Sequence, residues 1–152
     1  MPGDPFHLRR FVEAQENCIQ DVLRELGEGL KRSHWMWFVF PQIAGLGLSS
    51  TARHFAIASL AEAKAYLEHP ILGARLRDCT SLVTRVEGRS LQEIFGAPDD
   101  LKSRSCMTLF AQATADNQIF LDALKKHCGG EFDPRTLGRL APASSSSARS
   151  MA

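Results

Sequence analysis

The segment from Lys31 to Gln42 concentrates the residue types that could do chemistry. It carries Trp35, Met36, Trp37, Phe38, Val39 and Phe40 next to His34, with Lys31 and Arg32 at one end and Gln42 at the other. Aromatic faces stack on a nucleobase or a nicotinamide-like ring, and lysine or arginine holds a phosphate. Imidazole is the side chain whose ordinary titration falls near neutral pH, which makes His34 the candidate catalytic acid or base. Trp35 or Trp37 would stack, and Lys31, Arg10 or Lys102 would meet negative charge. Gln42 would orient the ligand or help exchange protons. The plainer reading is that these aromatics are simply the centre of a core.

Other places offer less. Lys102, Ser105 and Thr108 share a helix face, and their hydroxyls beside Leu109 and Phe110 could edge a cavity. Gly45-x-Gly47-x-Ser49 precedes a helix and could present backbone N–H groups to an anion, but it lacks the lysine of a phosphate-binding loop. Asp99-Asp100 stands where a helix N-terminus favours carboxylates, so capping explains it. No Gly-x-Ser-x-Gly elbow and no His-Glu-x-x-His pair occurs. Cys18, Cys79, Cys106 and Cys128 have no paired metal-ligand spacing and read as buried, reduced thiols. His7, His54, His69 and His127 suggest no metal either. No metal and no cofactor is expected.

The elements that must position these residues are helical. Apolar residues recur at spacings of three and four from Phe11 to Leu30, after a cap at Asp4 and Pro5. Residues 33–42 are too rich in aromatic and β-branched types for a comfortable helix, and Pro41 stops one, so this stretch reads as extended or tightly turned. Ser49 or Ser50 caps a short helix. Ser59-x-x-Glu62 and Ser90-x-x-Glu93 are capping-box patterns that open two more, and His69-Pro70 starts another that runs to Val86. Further helices follow Pro98-Asp99 and Asp116, and Asp133-Pro134 begins a last one ending at Leu140. The sum is about eight mostly short helices, a compact all-α single domain over 1–140, with one irregular aromatic-rich segment after the first helix. Residues 141–152 are Ser-rich, lack apolar periodicity and read as a disordered tail.

Composition narrows the class. Eighteen Lys and Arg against seventeen Asp and Glu leave a net charge of +1, too little for a generic nucleic-acid binder. No apolar run approaches the roughly 20 residues a membrane span needs, and no signal peptide is evident. A soluble, cytoplasmic protein is expected.

The residues also form a recognisable set. It includes Arg10-Phe11-x-x-Ala14-Gln15, Ser33-His34-Trp35-Met36-Trp37-Phe38-x-Phe40-Pro41-Gln42 and Gly45-Leu46-Gly47-x-Ser49. It continues with Tyr66-Leu67-x-His69-Pro70-x-Leu72-Gly73-x-Arg75-Leu76 and Ser105-x-Met107-Thr108-Leu109-Phe110. Together they resemble a small bacterial family, domain of unknown function 1810, from about Pro5 to Leu140. That resemblance implies a mainly helical fold and no established activity. Chains of this family are sometimes labelled calpastatin, a name for disordered repeat inhibitors, whereas this chain is core-rich and repeat-free. Phe11-x-x-Ala14-Gln15, with Met107, Leu109, Phe110, Phe120 and Leu124, is loosely similar to helical N-glycosidases acting on ADP-ribose derivatives. Where those carry an acid before the first stretch, this chain has Arg9 and Arg10.

The expected function is therefore a pocket around residues 31–42 for a small, anionic, ring-bearing metabolite such as a nucleotide or ADP-ribose derivative. The alternative is a non-enzymatic interaction or regulatory module whose aromatics are all core.

Overall fold

The computed structural model describes residues 3–140, and within them ten helices and no strand. In order these are α1 (Arg9–Glu16), α2 (Ile19–Glu28), α3 (Met36–Val39), α4 (Ser50–His54) and α5 (Leu60–Glu68). There follow α6 (Leu72–Arg85), α7 (Leu91–Phe95), α8 (Asp99–Ala113), α9 (Gln118–Cys128) and α10 (Pro134–Leu140). The eight expected helices become ten for two reasons. The first breaks at Asn17–Cys18, and residues 36–39 wind into one helical turn instead of running extended. The turn forms because Pro41 forbids helix only at its own end, leaving room for a single turn before it. The serine-rich tail expected beyond Leu140 lies outside the described residues.

Helix α8 is the axis of the domain. It packs against α5, α7, α9 and α10, while α6 packs against α2, α5 and α9, and α1 against α3. Its residues Ser105 to Ala111 are all buried, which a helix manages only when enclosed on every side. Small residues such as Ser103, Ser105 and Cys106 let its neighbours approach. The core around it holds Phe11, Trp35, Phe40, Tyr66, Phe110 and Phe120, all essentially without solvent exposure.

Capping follows the sequence closely. Ser49, Ser59 and Ser90 each accept a backbone N–H from the third residue of the helix they open. The Ser90–Glu93 box is complete. At Ser59 it is not, because the Glu62 carboxylate turns to the N–H of Ala58 and to Arg10 instead. His69 Nδ1 accepts from the N–H groups of Ile71 and Leu72, the cap expected before α6. Asp116 does not cap α9. Asn117 precedes that helix, and its side chain donates to the carbonyl of Ala111.

One glycine is fixed by contact. A Cβ on Gly73, in the first turn of α6, would overlap the backbone carbonyl of Leu67 at the end of α5. Backbone cannot yield as a flexible side chain can. Gly73→Ala should therefore cost about 3 kcal/mol, read as a lower urea midpoint with unchanged slope.

Long connections are tied down by arginines that donate to backbone carbonyls. Arg10 reaches His54 and Ala56, Arg104 reaches Glu131 and Phe132, Arg135 reaches Leu46, and Arg139 reaches Gly45. In the 41–58 stretch a single parallel bridge, Ile43 to Ile57, adds two backbone hydrogen bonds of 2.8 Å.

Candidate functional site

The site begins with Glu25, buried near the end of α2. Its carboxylate accepts from the backbone N–H of Arg32 at 2.8 Å and of Ser33 at 3.1 Å, from the Ser33 hydroxyl, and from Trp35 Nε1 at 2.9 Å. Burial pushes this carboxyl up, but these bonds together outweigh burial and hold it at about 2. The clamp sets how the chain enters α3. Trp35 is drawn inward, its ring against Phe40 and Phe95, with no exposed surface. Trp37, two positions on, faces a concavity instead.

Gln15 anchors α3 from the other side. It is 1% exposed, donates to the carbonyl of Phe38 at 2.6 Å and to the Tyr66 hydroxyl, and receives Arg75 at 3.3 Å.

The concavity beside Trp37 spans about 360 Å³ only when the open solvent at its mouth is counted, and the room for water within its walls is about 30 Å³. Met36, Trp37, Phe40 and Gln42 line it from α3 and the residues just after it. Phe55 closes it beyond α4, and Lys102 reaches in from α8. Gly47 belongs to the wall because a Cβ there would come within 2.6 Å of the Ala52 Cβ. The Lys102 ammonium lies 5.1 Å from the centre of the Trp37 ring and 3.3 Å from Asp99. Lys31 approaches the same carboxylate at 3.1 Å. Two ammonium groups share one carboxylate, so the cluster keeps one positive charge at the pocket edge. An aromatic wall, an amide and an unbalanced cation suit a planar ring bearing an anionic group.

Three of the expected residues, Trp37, Gln42 and Lys102, thus meet in one place, and Lys31 adjoins them through Asp99. The others lie elsewhere. His34 is exposed and outside the concavity, so as a proton-transfer group it would not meet a ligand held there. Trp35 has no free face to stack with. Arg10 is committed to five hydrogen bonds, to the carbonyls of Phe6, His7, His54 and Ala56 and to Glu62. The His54 and Ala56 carbonyls flank Phe55, so Arg10 positions the pocket wall without reaching the pocket. Ser105 donates to Asp133 at 2.7 Å, and Thr108 accepts from the Asp133 N–H at 2.8 Å. Asp133 also takes the Thr136 hydroxyl at 2.6 Å, so these hydroxyls fasten α10 to α8 and edge no cavity there. Glu25 and Phe55 were missed. A glutamate on an amphipathic helix and a phenylalanine just after a short one carry no sequence signal of their role.

All four cysteines are free thiols. Among the described residues no group of three or more His, Cys, Asp or Glu could hold a metal ion, and no helix is long and apolar enough to cross a membrane.

Fold and site together define a small all-α domain with one aromatic-walled, cation-edged pocket set at a single turn of helix. Residues 5–140 match the family described as "Protein of unknown function (DUF1810)", and the chain belongs to that family. It is similar to the crystal structure of the conserved hypothetical protein Rv1873 from Mycobacterium tuberculosis, at 57% identity and a TM-score of 0.91. That likeness covers 91% of this chain and 99% of the mycobacterial one. No curated protein matches.

Proposed function

We propose that the pocket binds a small anionic metabolite carrying a planar ring, of the nucleotide or ADP-ribose class. The ring stacks on Trp37, Gln42 pairs with a polar edge of the ring, and Lys102 takes the negative group with Lys31 in support behind Asp99. The observation that carries this reading is the placement of the Lys102 ammonium over the Trp37 face inside one concavity.

Titration with nucleotides and ADP-ribose tests it by thermal shift and by the emission of Trp37. A ligand at a hundred times its Kd stabilises the fold by about 2.7 kcal/mol. Lys102→Met and Trp37→Leu should each weaken binding at least tenfold, about 1.4 kcal/mol, while His34→Ala leaves it unchanged. No stabilisation of the wild type by any of these compounds at millimolar concentration would overturn the reading.

A further inference from the structure

Arg135 and Arg139 stand one turn apart on α10, and both reach the stretch that follows Ile43. Arg135 donates to the Leu46 carbonyl at 3.3 Å and Arg139 to the Gly45 carbonyl at 3.2 Å. Among the described residues neither side chain makes another hydrogen bond or any ion pair. A guanidinium carries several N–H donors, so most of them stay unspent on each. A neutral carbonyl positions a cation without cancelling its charge. The acid closest along the chain, Asp133, is buried and occupied by the Ser105 and Thr136 hydroxyls. The C-terminal end of a helix offsets about half of one charge at most. Two like charges are thus held a turn apart with little to balance them, which destabilises the helix surface unless an anion joins them.

The pair frames a groove between α10 and the Gly45–Leu46 backbone. Gly45, Leu46, Arg135, Gly138 and Arg139 line it, and it has room for water of about 480 Å³ in a shape wide open to solvent. Both arginines are exposed, so a ligand has access to them. Their placement is fixed by the chain opposite. Gly45 has a φ of +99°, and a Cβ on it would come within 2.5 Å of the Arg139 guanidinium carbon. Only bare backbone lets the guanidinium approach so closely. The Gly45-x-Gly47 stretch, which could have offered N–H groups to an anion, instead offers two carbonyls that hold two cations side by side.

We propose that this groove binds the terminal phosphate of a small phosphorylated molecule between the Arg135 and Arg139 guanidiniums. The planar fork of a guanidinium matches a pair of phosphate oxygens, and two such forks match the two charges of a phosphate monoester. A phosphodiester brings one charge and fewer free oxygens. A net charge of +1 over the chain gives no extended basic surface for a nucleic-acid backbone. The groove shares no lining residue with the concavity at Trp37, and the proposal does not rest on a ligand there.

Arginine Nε–H resonances report the site directly. The full chain, isotope-labelled at nitrogen, is titrated with methyl phosphate while sodium chloride holds the ionic strength constant. The Arg135 and Arg139 resonances should shift saturably at millimolar concentration. That of Arg24, exposed but paired with Asp21, should stay in place. Dimethyl phosphate, the singly charged diester, should bind the same wild-type protein weaker by about fivefold or more. Arg135→Gln and Arg139→Gln should each weaken methyl phosphate binding by about fivefold or more, with melting curves showing that both variants fold. Arg139→Lys should lose nearly as much, because an ammonium keeps the charge and gives up the fork. The proposal is overturned if methyl phosphate moves neither arginine, or if the diester binds as well as the monoester. It is equally overturned if the folded double variant binds undiminished. A phosphate taken at Lys102 instead would shift the Trp37 indole resonance and leave both arginines in place, and that too would overturn it.

Discussion

Glu25→Ala should lower the melting temperature by more than about 10 °C, the largest effect expected of any single surface-distant polar change in this domain. The carboxylate is 2% exposed and serves four donors at once. Removing it strands two backbone N–H groups and the Trp35 indole N–H in the interior, each of which costs about 1–3 kcal/mol when unpaired. A total near 3–5 kcal/mol follows, since the stranded groups relax together. The pH dependence has a definite sign. The carboxyl sits at about 2 in the fold against an ordinary 4.5. Its stabilisation, about 3 kcal/mol for a shift of that size, is complete above pH 4.5 and disappears as the pH falls toward 2. Urea midpoints at pH 7 and pH 3 check this directly. The gap between wild type and Glu25→Ala should narrow at the lower pH, and a gap that stays constant would remove Glu25 from this role. The variant should also shift its emission to the red, as Trp35 loses its anchor.

Arg10→Met should cost a similar 3–5 kcal/mol, for a different reason. The guanidinium ties α1 to the stretch that runs from α4 into α5 by bonding two carbonyls there and the Glu62 carboxylate at 2.9 Å. The Arg10 and Glu62 side chains are 11% and 4% exposed, so losing the cation leaves a buried charge unpaired. Arg10→Lys should recover little of the loss, because an ammonium on a flexible stem cannot serve acceptors spread around a planar fork. The double variant Arg10→Met with Glu62→Gln should be more stable than Arg10→Met alone, as the stranded charge goes with it. A double-mutant cycle by urea denaturation measures this, and an additive cycle would show that the pair is not coupled.

The helices were legible in the sequence because their ends carry local chemistry. Ser90 with Glu93 and His69 before Pro70 need only neighbouring residues to define a cap, and both are formed. Trp37, Gln42 and Lys102 stood out as candidates by residue type alone, and the fold brings the three to one concavity. The roles of Trp35 and Trp37 were not separable. Two positions on a helical turn point about 200° apart, so which indole faces inward depends on the direction of entry into α3. That direction is set by Glu25, ten residues before Trp35 and on another helix. Ser105 and Thr108 misled for the same reason, since their partner Asp133 lies 28 and 25 residues away. Long-range pairing of polar groups leaves no periodic trace in the chain.

The arginines that hold backbone carbonyls carry a further consequence, for ionic strength. Pairs such as Arg9 with Glu13 or Arg24 with Asp21 are exposed and bring together opposite charges, so added salt weakens them. Arg10 on Ala56 and Arg104 on Phe132 instead set a cation against a neutral dipole at 2.9 Å and 2.7 Å. Mobile ions screen over about 8 Å at physiological concentration and have no room to enter such a contact. The stretch from α4 into α5 that carries Phe55 is thus tied in part by contacts to which salt is nearly indifferent, beside an Arg10–Glu62 pair that salt screens only weakly because both side chains are buried.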